Sequence, residues 1–316
     1  MNELEHLFNS ASSLRVIELV VALLVTAQFT LQLTSRKLSA SYRIAILGFP
    51  RSGKTTMITA LFAYMFRRGI NGTPVLPRGE ETINRINANL EALDLSLPVK
   101  PTTDQDVFAY RAEIRFKSFV FSEHYKLEIG DFPGEDTVLF AEKHGPWLHN
   151  TGYFQWAIGA DAFIFVIDAG MVVLDKSGEY AARQKSALRA AWQRLQDQYL
   201  DGTGPLSKRP LLLVFTKADE YIELNSASLG SETPETPKNS PSRRQAKPDE
   251  VIECELAMKS HFADLIEYFE RESSRFETIV ESVYLKVGSE RLGIPEIARR
   301  VMPRQKSWLR HLNLFR

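Results

Sequence analysis

The chain has 316 residues, with 39 Lys and Arg against 39 Asp and Glu, so its formal charge is zero. That balance excludes the strongly basic surface of a general nucleic-acid binder, and no nucleic-acid partner is expected. A hydrophobic fraction of 44% and a single cysteine, Cys254, exclude a disordered chain, a disulfide scaffold and a cysteine-based zinc site.

Residues 1–13 form a polar segment with Glu3 and Glu5 and no Lys or Arg. Seventeen uncharged residues then run from Leu19 to Ser35. As a helix they would span about 25 Å, slightly short of a bilayer core of about 30 Å. Arg15, Arg36 and Lys37 flank the run and can snorkel to lengthen it. Residues 14–35 therefore read as an uncleaved membrane anchor helix, and Arg36, Lys37 and Arg43 would keep the C-terminal domain on the cytoplasmic side. A packed helix or strand stays open as the alternative. Thr26, Gln28, Thr30, Gln32 and Thr34 alternate with apolar residues, and Glu18 is costly in lipid.

From residue 43 to 302 strands alternate with helices, the pattern of an α/β domain with a mostly parallel sheet. Strands are expected at Arg43–Leu47, Val107–Phe116, Phe119–Ile129, Ala162–Ile167, Leu211–Phe215 and Thr278–Leu285, the second and third as an antiparallel pair. Helices are expected at Thr55–Arg68, Glu80–Leu93, Tyr180–Tyr199 and Val251–Glu272, with a last one from Pro295. Residues 224–249 are rich in Ser, Pro, Thr and Lys and read as a mobile polar loop.

Gly48-Phe49-Pro50-Arg51-Ser52-Gly53-Lys54-Thr55 matches G-x-x-x-x-G-K-[ST], immediately after a strand and opening a helix. Its glycines let successive N–H groups face a phosphate beside a helix N-terminus. Lys54 would reach the β- and γ-phosphates and the Thr55 hydroxyl would ligate Mg²⁺. The expected nucleotide-binding set runs on to Thr56. The fold class implied is a three-layer P-loop nucleoside triphosphatase, its sheet mostly parallel with one antiparallel strand, preceded by an N-terminal apolar helix.

Further on, Asp131-Phe132-Pro133-Gly134 ends a strand as D-x-x-G. Asp131 would hold the Mg²⁺ through a water, and the Gly134 N–H would sense the γ-phosphate. Thr216-Lys217-Ala218-Asp219 follows another apolar strand where [NT]-K-x-D is expected. The Asp219 carboxylate can accept from guanine N1–H and the 2-amino group, a donor pair that adenine lacks. Lys217 would lay its methylene stem over the base.

These three motifs, in this order, resemble the translation-factor-like class of P-loop GTPases over about residues 43–289. Arg51-Ser52-Gly53-Lys54-Thr55 with Asp131-Phe132-Pro133-Gly134-Glu135 is most similar to bacterial YcjX-type and related double-GTPase proteins. The resemblance implies a switch threonine closing on Mg²⁺ and the γ-phosphate, assigned to Thr102 rather than Thr103. It also implies a base-contacting motif after the last strand, where Val287-Gly288-Ser289 stands without the usual Ser-Ala-Lys. Glu135 occupies the place where many relatives carry a water-orienting Gln; it cannot donate, so hydrolysis should be slow, or it simply faces solvent. Arg51 stands where several relatives carry an Asn that holds K⁺. It would supply transition-state charge in cis or across a dimer, or else remain a solvated loop arginine. His144 and His149 read as surface or capping residues.

The last segment, Pro303–Arg316, places Trp308, Leu309, Leu312 and Phe315 at helical spacing among basic residues. It reads as an amphipathic helix for an anionic membrane surface, or as a terminal helix docked on the domain. Together these features lead to one expectation: a Mg²⁺-dependent switch that binds GTP and hydrolyses it slowly to GDP at the cytoplasmic face of a membrane. A homodimer or an effector or activating protein would be its partner. A nucleotide-binding adaptor without turnover and a P-loop ATPase or kinase are the rivals.

Overall fold

The computed structural model describes residues 18–28, 40–70, 72–95, 97, 99, 108–117, 122–131, 156–199, 206–228 and 244–303. By internal contacts the chain falls into a large unit, Ser41–Ile114 with Lys126–Pro303, and a small one, Met1–Ala40 with Arg115–Tyr125 and Arg304–Arg316. In the small unit residues 18–28 are helical and exposed throughout, Leu19 at 63% and Leu24 at 64%. The rest of the expected anchor 14–35, the segment 1–13 and the tail beyond Pro303 lie outside the described residues. Among the described residues no helix is long and apolar enough to cross a membrane.

The chain order is β1 (Ala40–Gly48), α1 (Lys54–Arg68), β2 (Val75–Pro77), α2 (Glu80–Asp94), β3 (Phe108–Lys117), β4 (Ser122–Asp131), β5 (Ala162–Asp168), α3 (Ala169–Leu174) and α4 (Glu179–Tyr199). It continues with β6 (Leu211–Thr216), α5 (Ala218–Ser228), β7 (Arg244–Gln245), α6 (Pro248–His261), α7 (Ala263–Glu272), β8 (Phe276–Val280), β9 (Ser282–Val287), β10 (Glu290–Leu292) and α8 (Ile294–Val301). Seven strands form one sheet in the order β2-β3-β4-β1-β5-β6-β8, and β10-β9-β7 form a second, small one. The pairs β1–β5, β5–β6 and β6–β8 are parallel, and β2–β3 is antiparallel. β3 and β4 are neighbours in the sheet, as expected from their sequence proximity.

Every residue of β5 and β6 is buried, which is what a central parallel strand requires when layers cover both faces. Side chains alternate across the sheet. Ala45, Leu47, Phe163, Phe165, Ile167, Leu211, Leu213 and Phe215 join one large core with Trp192, Phe262 and Phe269. Phe163 meets Trp192 edge-on at 5.6 Å and Phe165 lies 5.3 Å from Phe269. Ile44, Ile46, Ile164, Val166, Leu212 and Val214, on the alternate positions, are buried as well. The architecture is therefore α/β with a mostly parallel sheet, compatible with three layers.

Three expectations change. The single helix Val251–Glu272 is two, because Phe262 leaves helical geometry and its ring, fully buried, packs 5.6 Å from Phe215. The expected loop 224–249 is helical as far as Ser228, and β7 and α6 begin before it ends; residues 229–243 lie outside the described residues. The expected strand Thr278–Leu285 is also two, β8 and β9, divided at Glu281. This division bears directly on the site.

Candidate functional site

β1 leaves the sheet at Gly48, and α1 starts six positions later. A Cβ on Gly48 would lie 2.8 Å from the Val166 carbonyl oxygen and 2.9 Å from Ser52 Oγ, so only glycine lets the loop run against β5. Gly53 turns into the helix at φ 83°, the left-handed region glycine enters without a Cβ penalty. Arg51 adopts φ 61° and Lys217 φ 57°, the only non-glycine residues of positive φ among the described residues. Strain of this kind, about 1–3 kcal/mol each, gathers at functional sites.

The loop curls around the Lys54 side chain, whose Nζ donates to the carbonyls of Gly48 at 2.8 Å and Phe49 at 2.9 Å. Phe49 is buried edge-on against Tyr180, at 6.4 Å between rings. Pro50 and Arg51 are exposed, and Thr56 is half-buried in the first turn of α1. Ser52 Oγ is buried without a hydrogen-bond partner among the described residues, on the side of Gly48 that faces β5.

Asp131, fully buried at the end of β4, accepts from the Thr55 hydroxyl at 3.3 Å, although 76 positions separate them. Beneath them the Thr59 hydroxyl donates to the Thr55 carbonyl at 2.8 Å, and Asn89 of α2 bridges Thr59 and the Tyr110 hydroxyl. Burial, with the Asp131 charge adding to it, pushes the Tyr110 phenol well above its ordinary range. The Thr55 hydroxyl and Asp131 carboxylate are hard oxygen donors, and the pair suits a Mg²⁺ ion.

Thr216, at the end of β6, joins the Gly48–Thr55 loop to the second motif: its Oγ1 lies 2.7 Å from the Ser52 carbonyl oxygen and 3.1 Å from that of Ile167. Lys217 Nζ pairs with Asp168 at 2.7 Å and approaches Glu220 at 3.6 Å. Burial alone would lower the Lys217 ammonium, but these carboxylates lift it above its ordinary value. Asp219 accepts from the Ser282 hydroxyl, and Ser282 Oγ in turn accepts from the N–H groups of Tyr284 and Leu285, each at 3.1 Å. Burial raises the Asp219 carboxyl, with the Ser282 hydrogen bond opposing. Glu281 locks the two loops together through its backbone: its N–H donates to the Phe215 carbonyl, and its own carbonyl accepts from the Ala218 N–H. The Glu281 side chain is buried, and burial together with the Asp219 charge pushes its carboxyl up to about 8.

The structure thus brings together Gly48 to Thr55, Asp131 and Thr216 to Asp219 at the carboxyl ends of β1, β4 and β6. It does not bring Gly288 and Ser289 to them. They form the β9–β10 turn, where the Gly288 carbonyl accepts from Gln245 and Ser289 accepts from Arg68. Because the main sheet ends at Val280, the segment that meets Asp219 is Glu281-Ser282, which sequence reading places in a strand interior. The signal is present in the sequence: Glu-Ser interrupts the apolar run Thr278-Ile279-Val280 before Val283-Tyr284-Leu285. Asp168 also escapes sequence reading. Thr102, Gly134, Glu135, His144 and His149 lie outside the described residues. No family model matches the chain, and no curated protein matches it.

Proposed function

We propose that the chain carries a P-loop GTPase domain: a Mg²⁺-dependent protein that binds GTP, hydrolyses it slowly to GDP and acts as a molecular switch. The observation that carries this reading is one juxtaposition. Thr216 and Ser52, 164 positions apart, share a hydrogen bond, so the base-type motif abuts the phosphate-type loop while Thr55 meets Asp131 on its other side. A nucleotide needs the same order along its length, with base at one end and metal-bound phosphates at the other.

In this reading Thr55 and Asp131 hold the Mg²⁺, which supplies charge neutralisation at the phosphates. The loop N–H groups and Lys54 bind and orient the β- and γ-phosphates. Asp219, fixed by Ser282, accepts from the guanine edge, and the Lys217 stem covers one base face. Gly134, Thr102 and Glu135 keep the roles that the family resemblance gives them, as γ-phosphate sensor, switch threonine and water neighbour. Arg51, held exposed at φ 61° in the loop, adds positive charge beside the phosphates. Association with the cytoplasmic face of a membrane is supported by the mostly apolar helix at residues 18–28, exposed at every residue.

Single-turnover hydrolysis of γ-labelled GTP by the full chain tests the enzymatic part. Phosphate release that needs Mg²⁺ and is lost in Lys54→Ala supports the reading. Tight GTP binding with no release, alone or with vesicles, would make the protein a nucleotide-binding adaptor instead.

A further inference from the structure

Asp168 is the last residue of β5 and sits beside Thr216 in the parallel register. Its side chain, 3% exposed, divides its two oxygens between two tasks. Oδ1 accepts from the Met171 N–H at 3.0 Å and so caps α3. Oδ2 holds the Lys217 ammonium at 2.7 Å. Lys217 is itself constrained at the backbone, where φ is 57°. The pocket for this pair is made by an absent side chain. A Cβ on Gly170 would lie 2.7 Å from Glu220 Oε2, 2.9 Å from Glu220 Cβ and 3.3 Å from Asp168 Oδ1. Glycine there lets Asp168 and Glu220 converge on one ammonium.

A lysine stem is an unbranched chain that loses much rotamer freedom when it is ordered. If it were free in the empty protein, the nucleotide would have to order it on binding, at the expense of affinity. Here the ordering is done in advance, by an ion pair whose acidic partner is buried while the lysine side chain remains 29% exposed. Glu220, at 3.6 Å and 47% exposed, is the weaker and more solvated second contact.

We propose that Asp168 is a positioning residue for base recognition: by holding the Lys217 ammonium at the tip of β5, it keeps the lysine's methylene stem as a fixed wall of the purine slot. The proposal rests on the guanine-nucleotide reading above and adds the residue that makes that wall rigid. Asp168 acts in this proposal through its ion pair with Lys217, so its effect on affinity passes through the lysine.

The test is a double-mutant cycle in the full chain, read by titration with ribose-labelled fluorescent GDP. Asp168→Asn removes the charge and keeps an N-cap of equal rank, so α3 stays capped. Lys217→Met keeps an unbranched apolar stem and removes the ammonium. Each single variant is expected to weaken GDP about tenfold, and the double variant no further than either, because both changes break one interaction. Asp168→Asn should also shift the thermal midpoint by only a few degrees, whereas a purely structural role would move stability and leave affinity alone. Effects that multiply in the double variant, or wild-type affinity in Asp168→Asn, would overturn the proposal while leaving guanine binding intact. If the wild type itself does not bind GDP, the guanine reading fails and this proposal fails with it.

Discussion

Ser282→Ala is the substitution that separates a recognition role from a packing role at the proposed base end of the site. The hydroxyl donates to Asp219 and accepts two backbone N–H bonds at 3.1 Å, from Tyr284 and Leu285. A hydrogen bond to a charged group contributes about 1.5–3 kcal/mol, and the two N–H groups left behind add part of a desolvation penalty. Stability should therefore fall by about 2–3 kcal/mol. GDP affinity should fall by about 1–2 kcal/mol, roughly 5- to 30-fold, because Asp219 loses the contact that aims it. The pH dependence gives a second signature. Asp219 must be ionised to accept from the base, and its carboxyl is already raised by burial, with Ser282 opposing that rise. Removing Ser282 raises it further, so affinity in the variant should begin to fall at a higher pH as the solution is acidified. GDP titrations from pH 5 to 8, beside chemical denaturation, measure both effects. A variant that loses stability yet keeps wild-type affinity and pH profile would refute the placement of Asp219 in a base site.

Gly48→Ala should cost about 1–3 kcal/mol of stability and more than tenfold in nucleotide affinity, since its Cβ would lie 2.8 Å from a backbone oxygen that cannot yield; denaturation and titration check both. Arg51→Gly should relieve the left-handed strain at φ 61° and stabilise by about 0.5–1 kcal/mol, while slowing single-turnover hydrolysis more than it weakens GTP binding. Glu281 keeps its proton in the folded state up to about pH 8, against a reference of 4.5. The unfolded chain therefore releases it first, and wild-type stability should decline as pH rises between those values, by up to about 1.4 kcal/mol per unit. Glu281→Gln should flatten that decline in denaturation curves. Deleting residues 1–39 should leave GDP affinity unchanged and move the protein from the membrane pellet to the supernatant after carbonate extraction.

Sequence reading works best where one local signal decides the outcome. The unbroken apolar runs of β5 and β6 can sit only in a covered sheet, and Gly48, Gly53 and Lys54 announce a loop whose backbone must curl. It fails where the deciding contact is distant in the chain. Thr278 to Leu285 has the composition of one strand. What divides it is Glu281, whose backbone is claimed by Phe215 and Ala218 more than 60 positions earlier. A base-contact motif sought past the end of that single strand falls on Gly288 and Ser289, away from Asp219. Asp168 is invisible for a similar reason: it follows the apolar run Ala162–Ile167, and no local pattern marks it or the short helix that it caps. Its second partner, Lys217, comes into reach only through the β5–β6 register.

The central claim is guanine recognition by a P-loop site, and equilibrium titration of the purified full chain with GDP and ADP tests it most directly. A buried carboxylate built to accept from a base edge discriminates strongly against a base lacking those donors, so GDP should bind at least about 100-fold tighter than ADP. Asp219→Asn should transfer the preference from GDP to XDP, because the amide can donate where the carboxylate accepted. Equal affinity of the wild type for GDP and ADP, or an Asp219→Asn variant that still prefers GDP, would contradict the account.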